Sequence, residues 1–225
     1  MTASPDTERQ DDDARAPSSV ASAQSAADAD ARWLDVLNRI CGRAAHELKG
    51  ALNGVSVNVE VMRSRAEKPD VAASSLKPFA AAASGQLDAV IEMTDALLGL
   101  TRTTPGITDV AQTVRRIVSL LGPAARVDGK SIELDGALDL LGATPASGTM
   151  VRLAVGETLL ASLDGAAHLR CIADGKGDAR PLRVERSDAD NGHMIAIDDV
   201  VLALIASEGI HIEAEPSAIV ISFPR

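Results

Sequence analysis

The chain has 225 residues, 46 % hydrophobic and 24 % charged, with a formal net charge of −10 and a pI near 4.8. The length allows one or two domains, and the charge excludes a general polyanion binder, which needs a basic footprint. One Trp, two Phe and no Tyr leave Ala, Leu and Val to build the core. That favours close-packed helices and excludes an aromatic stacking platform for single-stranded nucleic acid.

Cys41 and Cys171 form neither a C-x-x-C pair nor a metal-ligand spacing, so reduced thiols are expected. No apolar run reaches the ~18 residues that span a bilayer, and the acidic N-terminus lacks the pattern of a secretory signal. The expectation is a cytoplasmic protein that engages neither membrane nor nucleic acid.

Residues 1–32 carry 7 acidic and 3 basic residues among Ala, Ser, Thr and Pro, and little to bury. They read as a disordered acidic tail. Residues 33–102 balance at 8 acidic and 8 basic. Leu34, Leu37, Cys41, Ala45, Leu48, Leu52, Val55, Val59 and Met62 recur every three or four residues, which predicts a long amphipathic helix over 33–66. Lys68-Pro69-Asp70 breaks it. Leu76, Phe79, Ala83, Leu87, Val90 or Ile91, Thr94, Leu97 and Leu98 predict a second helix ending near Arg102. Together these make an antiparallel helical hairpin. One hairpin cannot bury both stripes, so two are expected to pair as a dimeric four-helix bundle.

Residues 103–225 carry 17 acidic and 11 basic residues. A helix is predicted over 109–121, closed by Pro123, then a strand over 131–134 and a helix over 148–163. Strands are predicted over 169–173, 182–186 and 194–197. Asp198 or Asp199 caps a short helix that Gly209 ends, and a hairpin spans 210–214 and 218–223. The fold class is α+β: a helical hairpin followed by a small α/β sandwich.

The candidate site is Ala45-His46-Glu47-Leu48-Lys49-Gly50-Ala51-Leu52-Asn53 on the first helix. Lys49, Gly50 and Asn53 lie three, four and seven residues after His46 and share its face. A neutral imidazole is a nucleophile, Glu47 could fix its tautomer, Lys49 could attract a phosphoryl donor and Asn53 could orient an incoming group.

His46-Glu47-Leu48-Lys49, then Leu52-Asn53, a breaker, and Leu97-Leu98-Gly99-Leu100-Thr101-Arg102 resemble the dimerisation and histidine-phosphotransfer hairpin of sensor histidine kinases. Ala51 stands where that family has proline, which predicts a straight helix. Residues 103–225 resemble the family's ATPase domain in degenerate form. Thr158 and Ser162 stand in the places of its paired asparagines, and the glycine boxes and lid are missing. The whole resembles dimeric histidine phosphotransferases of two-component phosphorelays. The resemblance implies a homodimer with no cofactor of its own. His46 would pass a phosphoryl group between aspartates of response-regulator receiver domains, or from a hybrid kinase, and the receiver would supply Mg²⁺. His46 and Glu47 would then be the catalytic pair, with Lys49, Gly50 and Asn53 contacting the receiver. The alternatives are a divergent ATP-dependent sensor kinase and a non-catalytic pseudokinase scaffold. Bifunctional kinases of the family place Thr or Asn four residues after the histidine to position a hydrolytic water. Gly50 stands there, which implies weak receiver phosphatase activity.

Other signals read as structure. Gly129-Lys130-Ser131 lacks the leading glycine of a P-loop, since Ala124 stands there, and reads as a turn before a strand. Asp174-Gly175-Lys176-Gly177 reads as a turn. His168, His193 and His211 are scattered, Glu157 and Asp164 read as a solvated helix face, and Ser147 and Ser162 lack a hydrolase context.

Overall fold

The computed structural model describes residues 16–102, 106–175, 180–187 and 196–225. Helix α1 spans Ala16–Ala66, 51 residues, or about 75 Å at 1.5 Å per residue. It begins well before Trp33, so residues 16–32 are not the expected disordered tail. The reason lies in packing: Ala29 is buried, and Asp30 Oδ1 accepts a 3.0 Å hydrogen bond from the Thr149 hydroxyl. Residues 1–15 of that tail lie outside the described residues. After the break at Lys68-Pro69-Asp70 and a short 3-10 turn at Ala73–Leu76, helix α2 runs Lys77–Thr101, antiparallel to α1.

Strand β1 (Thr108–Asp109) pairs with β3 (Ala143–Thr144). Helix α3 covers Val110–Val127, with the Asp109 carboxylate accepting from the Gln112 N–H as its N-cap. It continues through Pro123 instead of closing there. Gly122 has no Cβ to meet the proline ring, and Leu121 and Ala125 are both buried, so packing outweighs the one lost backbone bond. The helix ends where Gly129 takes a φ of +73° and Lys130 N–H bonds to Ala125 C=O.

A five-stranded sheet follows in the order β2-β4-β5-β7-β6. Its strands are β2 (Ser131–Leu134), β4 (His168–Ala173), β5 (Leu182–Ser187), β6 (His211–Ala214) and β7 (Ala218–Ser222). The β2–β4 pair is parallel and the rest are antiparallel. The strand expected over 194–197 falls partly outside the described residues, and Ala196 and Ile197 are not in a strand. Leu169, Cys171, Leu182, Val184, Ile219 and Ile221 form the buried face of the sheet. The opposite face carries ion pairs among Arg170, Glu185, Arg183 and Glu215. Helix α4 (Gly148–Gly165) lies between this sheet and α1, and α5 (Asp199–Ala206), capped by Asp198, packs beside it. The fold is mixed, with a long helical region at the N-terminus and a small sheet unit after it.

Helix α4 explains the layering. It carries apolar residues on every side, with Arg152, Glu157 and Asp164 as its charged exceptions, which suits a helix enclosed by other elements. Helix α1 meets it through Trp33, Val36 and Ile40, gathered over Gly156. The buried stripe in the first half of α1 is therefore Trp33, Val36, Leu37, Ile40 and Ala44. Of the expected stripe, Leu37 is buried and Cys41 and Leu48 pack against the core, whereas Ala45 and Leu34, which is 57 % exposed, are turned outward. Asp30–Thr149, Arg39–Glu157 (3.0 Å) and Arg43–Asp164 (2.8 Å) run in the same order along both helices, so α1 and α4 are parallel neighbours. Glu157 and Asp164 are thus partners of α1 rather than a merely solvated face. One hydrophobic core extends from α1 and α2 through α3 and α4 to the sheet.

Candidate functional site

Helix α1 is continuous through Ala51, in keeping with the absence of proline there. His46, Lys49, Gly50 and Asn53 are all exposed and follow the i, i+3, i+4, i+7 face, so they form one accessible strip about 10 Å long. Glu47 is half-buried and points about 100° away around the helix. Among the described residues its carboxylate makes no hydrogen bond to His46, so it does not fix the imidazole tautomer as expected. The rings and chain ends of His46, Lys49 and Asn53 likewise make no side-chain hydrogen bond or ion pair within the described residues. The imidazole is thus accessible from outside.

The strip is supported from beneath. Ala44, two residues before His46, is buried, and Leu48 packs against the core. Further along, Asn58 Nδ2 donates to Gly54 C=O at 2.8 Å and to Gln86 Oε1 at 3.2 Å. A Cβ on Gly54 would lie 2.1 Å from Gln86 Nε2, so Gly54 lets the α2 glutamine sit against α1. A Cβ on Gly50 would meet nothing within 4 Å. The two glycines on neighbouring turns therefore differ. Gly54 closes the hairpin, whereas Gly50 leaves an open patch beside His46.

Arg43 lies three residues before His46 and pairs with Asp164 in the last turn of α4. His46 therefore stands where α1 runs past the end of α4. Near that end the ammonium of Lys130 donates to Leu163 C=O, and Arg186 Nη2 donates to Gly165 C=O at 3.3 Å. These cations satisfy terminal carbonyls of α4.

Thr158 and Ser162 are both fully buried, and their hydroxyls have no hydrogen-bond partner. Helix α1 covers one side of α4 and the sheet the other. Ser147 is the N-cap of α4, with its Oγ accepting from Met150 N–H. Gly129 and Lys130 form the turn before β2; Asp174 and Gly175 follow β4, and the rest of the expected turn, Lys176 and Gly177, lies outside the described residues. His168 and His211 are exposed on strands, with Ser131 Oγ 2.9 Å from His168 Nδ1; His193 lies outside the described residues. Among the described residues no helix is long and apolar enough to cross a membrane.

A group of arginines gives the molecule a second feature that the sequence pattern did not expose. Arg152 on α4 is 6 % exposed and lies 5.5 Å from the centroid of the Trp33 ring. Its partners come from α2 and from its own first turn, some 50 residues apart in sequence, and no local motif announces them.

No family model and no curated protein matches the sequence. Among solved structures, the chain is similar to a bacterial phosphotransferase at 15 % identity and a TM-score of 0.41, over 84 % of this chain and 95 % of that one. It is also similar to the Acinetobacter baumannii histidine kinase AdeS at 15 % identity and a TM-score of 0.37, over 80 % of this chain and 97 % of that one.

Proposed function

We propose that this chain is a histidine phosphotransfer protein of a two-component phosphorelay, with His46 as the phosphoacceptor. The observation that carries the reading is the accessible His46 imidazole on a rigid helix, with Lys49, Gly50 and Asn53 on the same open strip. A lone pair of the neutral ring attacks the phosphorus of a receiver's aspartyl phosphate. The P–N bond forms as the P–O bond to the aspartate breaks and the carboxylate leaves. Lys49 draws the phosphoryl group in, and the receiver brings its own Mg²⁺ and carboxylates. The second receiver runs the same exchange in reverse. Glu47 supports this only through the local charge, since it does not touch the ring.

The reading includes a homodimer. Leu52, Leu87, Ile91 and Leu98 are each about half exposed on the hairpin, as is Val59, at 47 to 51 %. An apolar surface of this kind on two neighbouring helices favours burial against a second hairpin. Burial of Thr158 and Ser162 favours phosphotransfer over an ATP-dependent kinase, because neither hydroxyl is open to a nucleotide.

The test is to incubate the purified protein with a receiver phosphorylated on aspartate. Label that is acid-labile and base-stable, and absent in His46→Ala, is expected. Equal labelling of His46→Ala overturns the phosphoacceptor. Labelling from ATP alone favours the kinase, and a His46-independent signalling effect favours the scaffold.

A further inference from the structure

The C-terminal end of α2 meets the N-terminal ends of α3 and α4 around a polar cavity of about 160 Å³. Its walls include Arg102, Arg116 and Arg152, with Thr108, Gln112 and Gly148. Asp109 is the one acid among the described lining residues, and its Oδ1 already accepts from Gln112 N–H as the cap of α3. In a chain of net charge −10, this is a local concentration of three positive charges. Helices α3 and α4 are 18 residues each, and both present the positive end of the helix dipole here.

The arginines are only partly used. Arg116 Nη1 donates to Gly99 C=O at 3.2 Å, and Arg152 Nη1 donates to Arg102 C=O at 2.9 Å, which together hold the end of α2. Arg152 Nη2 bonds to the Thr149 hydroxyl. A guanidinium has five N–H donors, and among the described residues the buried Nε of Arg152 has no hydrogen-bond partner. Burial loosens the proton of the Arg152 guanidinium; Asp30 opposes that, and the nearby charge of Arg116 adds to it. A negative group in the cavity would relieve that repulsion and use the idle donors.

A wider cleft of about 920 Å³ adjoins the cavity, and Ile107, Gly148 and Arg152 line both. Its other walls include Pro145, Ala146 and Pro224, and Ile107 is 74 % exposed there. Glu208 at its edge is already bonded to the Ser147 N–H and hydroxyl.

We infer that this junction binds a small organic oxyanion, with its phosphoryl or carboxylate head among Arg102, Arg116 and Arg152 and its apolar body against Ile107 and the prolines. The site is separate from the phosphoacceptor. Asp30 marks its level on α1, and His46 lies 16 residues further along, ~24 Å away. Occupancy would tie α2 more firmly to α3 and α4, so the ligand would act on the hairpin's seating and not on the chemistry at His46.

Trp33 is the single tryptophan and sits over Arg152, so its emission reports on the site. The experiment titrates the full chain with phenyl phosphate, benzoate and inorganic phosphate, against sodium chloride at matched ionic strength. A saturable change in Trp33 emission with phenyl phosphate or benzoate is expected, tighter than with inorganic phosphate, and none with chloride. The tighter of the two aromatic probes identifies the head group. The Arg102 side chain is exposed and unbonded among the described residues, so Arg102→Gln leaves the fold intact. It should weaken binding about tenfold, as loss of one charge-assisted contact implies. No saturation with either aromatic probe overturns the inference. So does an Arg102→Gln titration that matches wild type. Inorganic phosphate binding as tightly as both aromatic probes overturns the apolar part of the site.

Discussion

Val36 of α1 rests on the bare Cα of Gly156 in α4: a Cβ at residue 156 would lie 2.7 Å from Val36 Cγ1 and 3.4 Å from the Trp33 ring. This contact sets how closely the two parallel helices approach. The flanking ion pairs Arg39–Glu157 and Arg43–Asp164 are partly exposed and contribute less than the packing. Gly156→Ala should therefore cost about 1 to 3 kcal/mol, despite the better helix propensity of alanine. Urea denaturation measures it. Adding Val36→Ala should recover part of that loss, because the larger side chain is what the new methyl meets. A neutral or stabilising Gly156→Ala would show that the helices do not approach this closely.

The thiols offer a second measurement. Cys171 is fully buried on the sheet's inner face, and burial pushes its thiol up to about 12. Cys41 is half-buried and is raised by the same cause. At pH 8.5, Cys171 should react with iodoacetamide only as fast as the protein unfolds, while Cys41 reacts slowly in the native state. A thiol raised in the folded state contributes its full share below the unfolded value near 9, and that share is lost as the pH rises from there towards 12. Cys171→Ala should flatten that alkaline limb. Rapid native-state alkylation of Cys171 would contradict its burial.

The exposed apolar residues of the hairpin give a third. Leu87→Glu together with Ile91→Glu places two charges on the half-exposed α2 face without touching the buried Met93 or Ala96. If two hairpins pair across this face, the double variant should sediment as a monomer at micromolar concentration while keeping its helicity. A wild-type chain that is already monomeric at that concentration rules the pairing out.

Some of this architecture was legible in the sequence. The end of α1 at Ala66, the cap at Asp198 and the final hairpin follow from turn chemistry and apolar spacing, which are local. The exposed strip at His46 is legible for the same reason, since spacing along one helix defines a face. The burial of Trp33 and Val36 on α1 was not, because they pack on Gly156, about 120 residues later. The helical course of residues 16–32 depends likewise on Thr149 and on Asp198, which pairs with Arg32. The passage of α3 through Pro123 is a tertiary override of a local breaker. Arg152 shows the limit most clearly: a charged residue on an apolar helix acquires its meaning only when the ends of α2, α3 and α4 converge.

Gly50 stands four residues after His46 on the same exposed face. A Cβ there would meet nothing within 4 Å, so a larger residue enters without displacing any neighbour. Gly50→Ala should stabilise the helix by about 0.5 to 1 kcal/mol, the usual gain on replacing glycine in a helix interior. Gly50→Thr gains less, because its β-branch restricts the side chain. If His46 is the phosphoacceptor proposed above, threonine places a hydroxyl one turn from the imidazole, where it would hold a water against a docked phosphoaspartate. Asn53 is a further turn along, and a displacement of ~5 Å takes a water held there out of line with the phosphorus. Wild type should thus release inorganic phosphate from a phosphorylated receiver little faster than the receiver does alone. Gly50→Thr should raise that release several-fold while still accepting label on His46. The comparison that decides is phosphate release by wild type, His46→Ala and Gly50→Thr on one receiver. If wild type and His46→Ala both hydrolyse it rapidly and equally, water is being positioned by some other group, and Gly50 is not what limits hydrolysis.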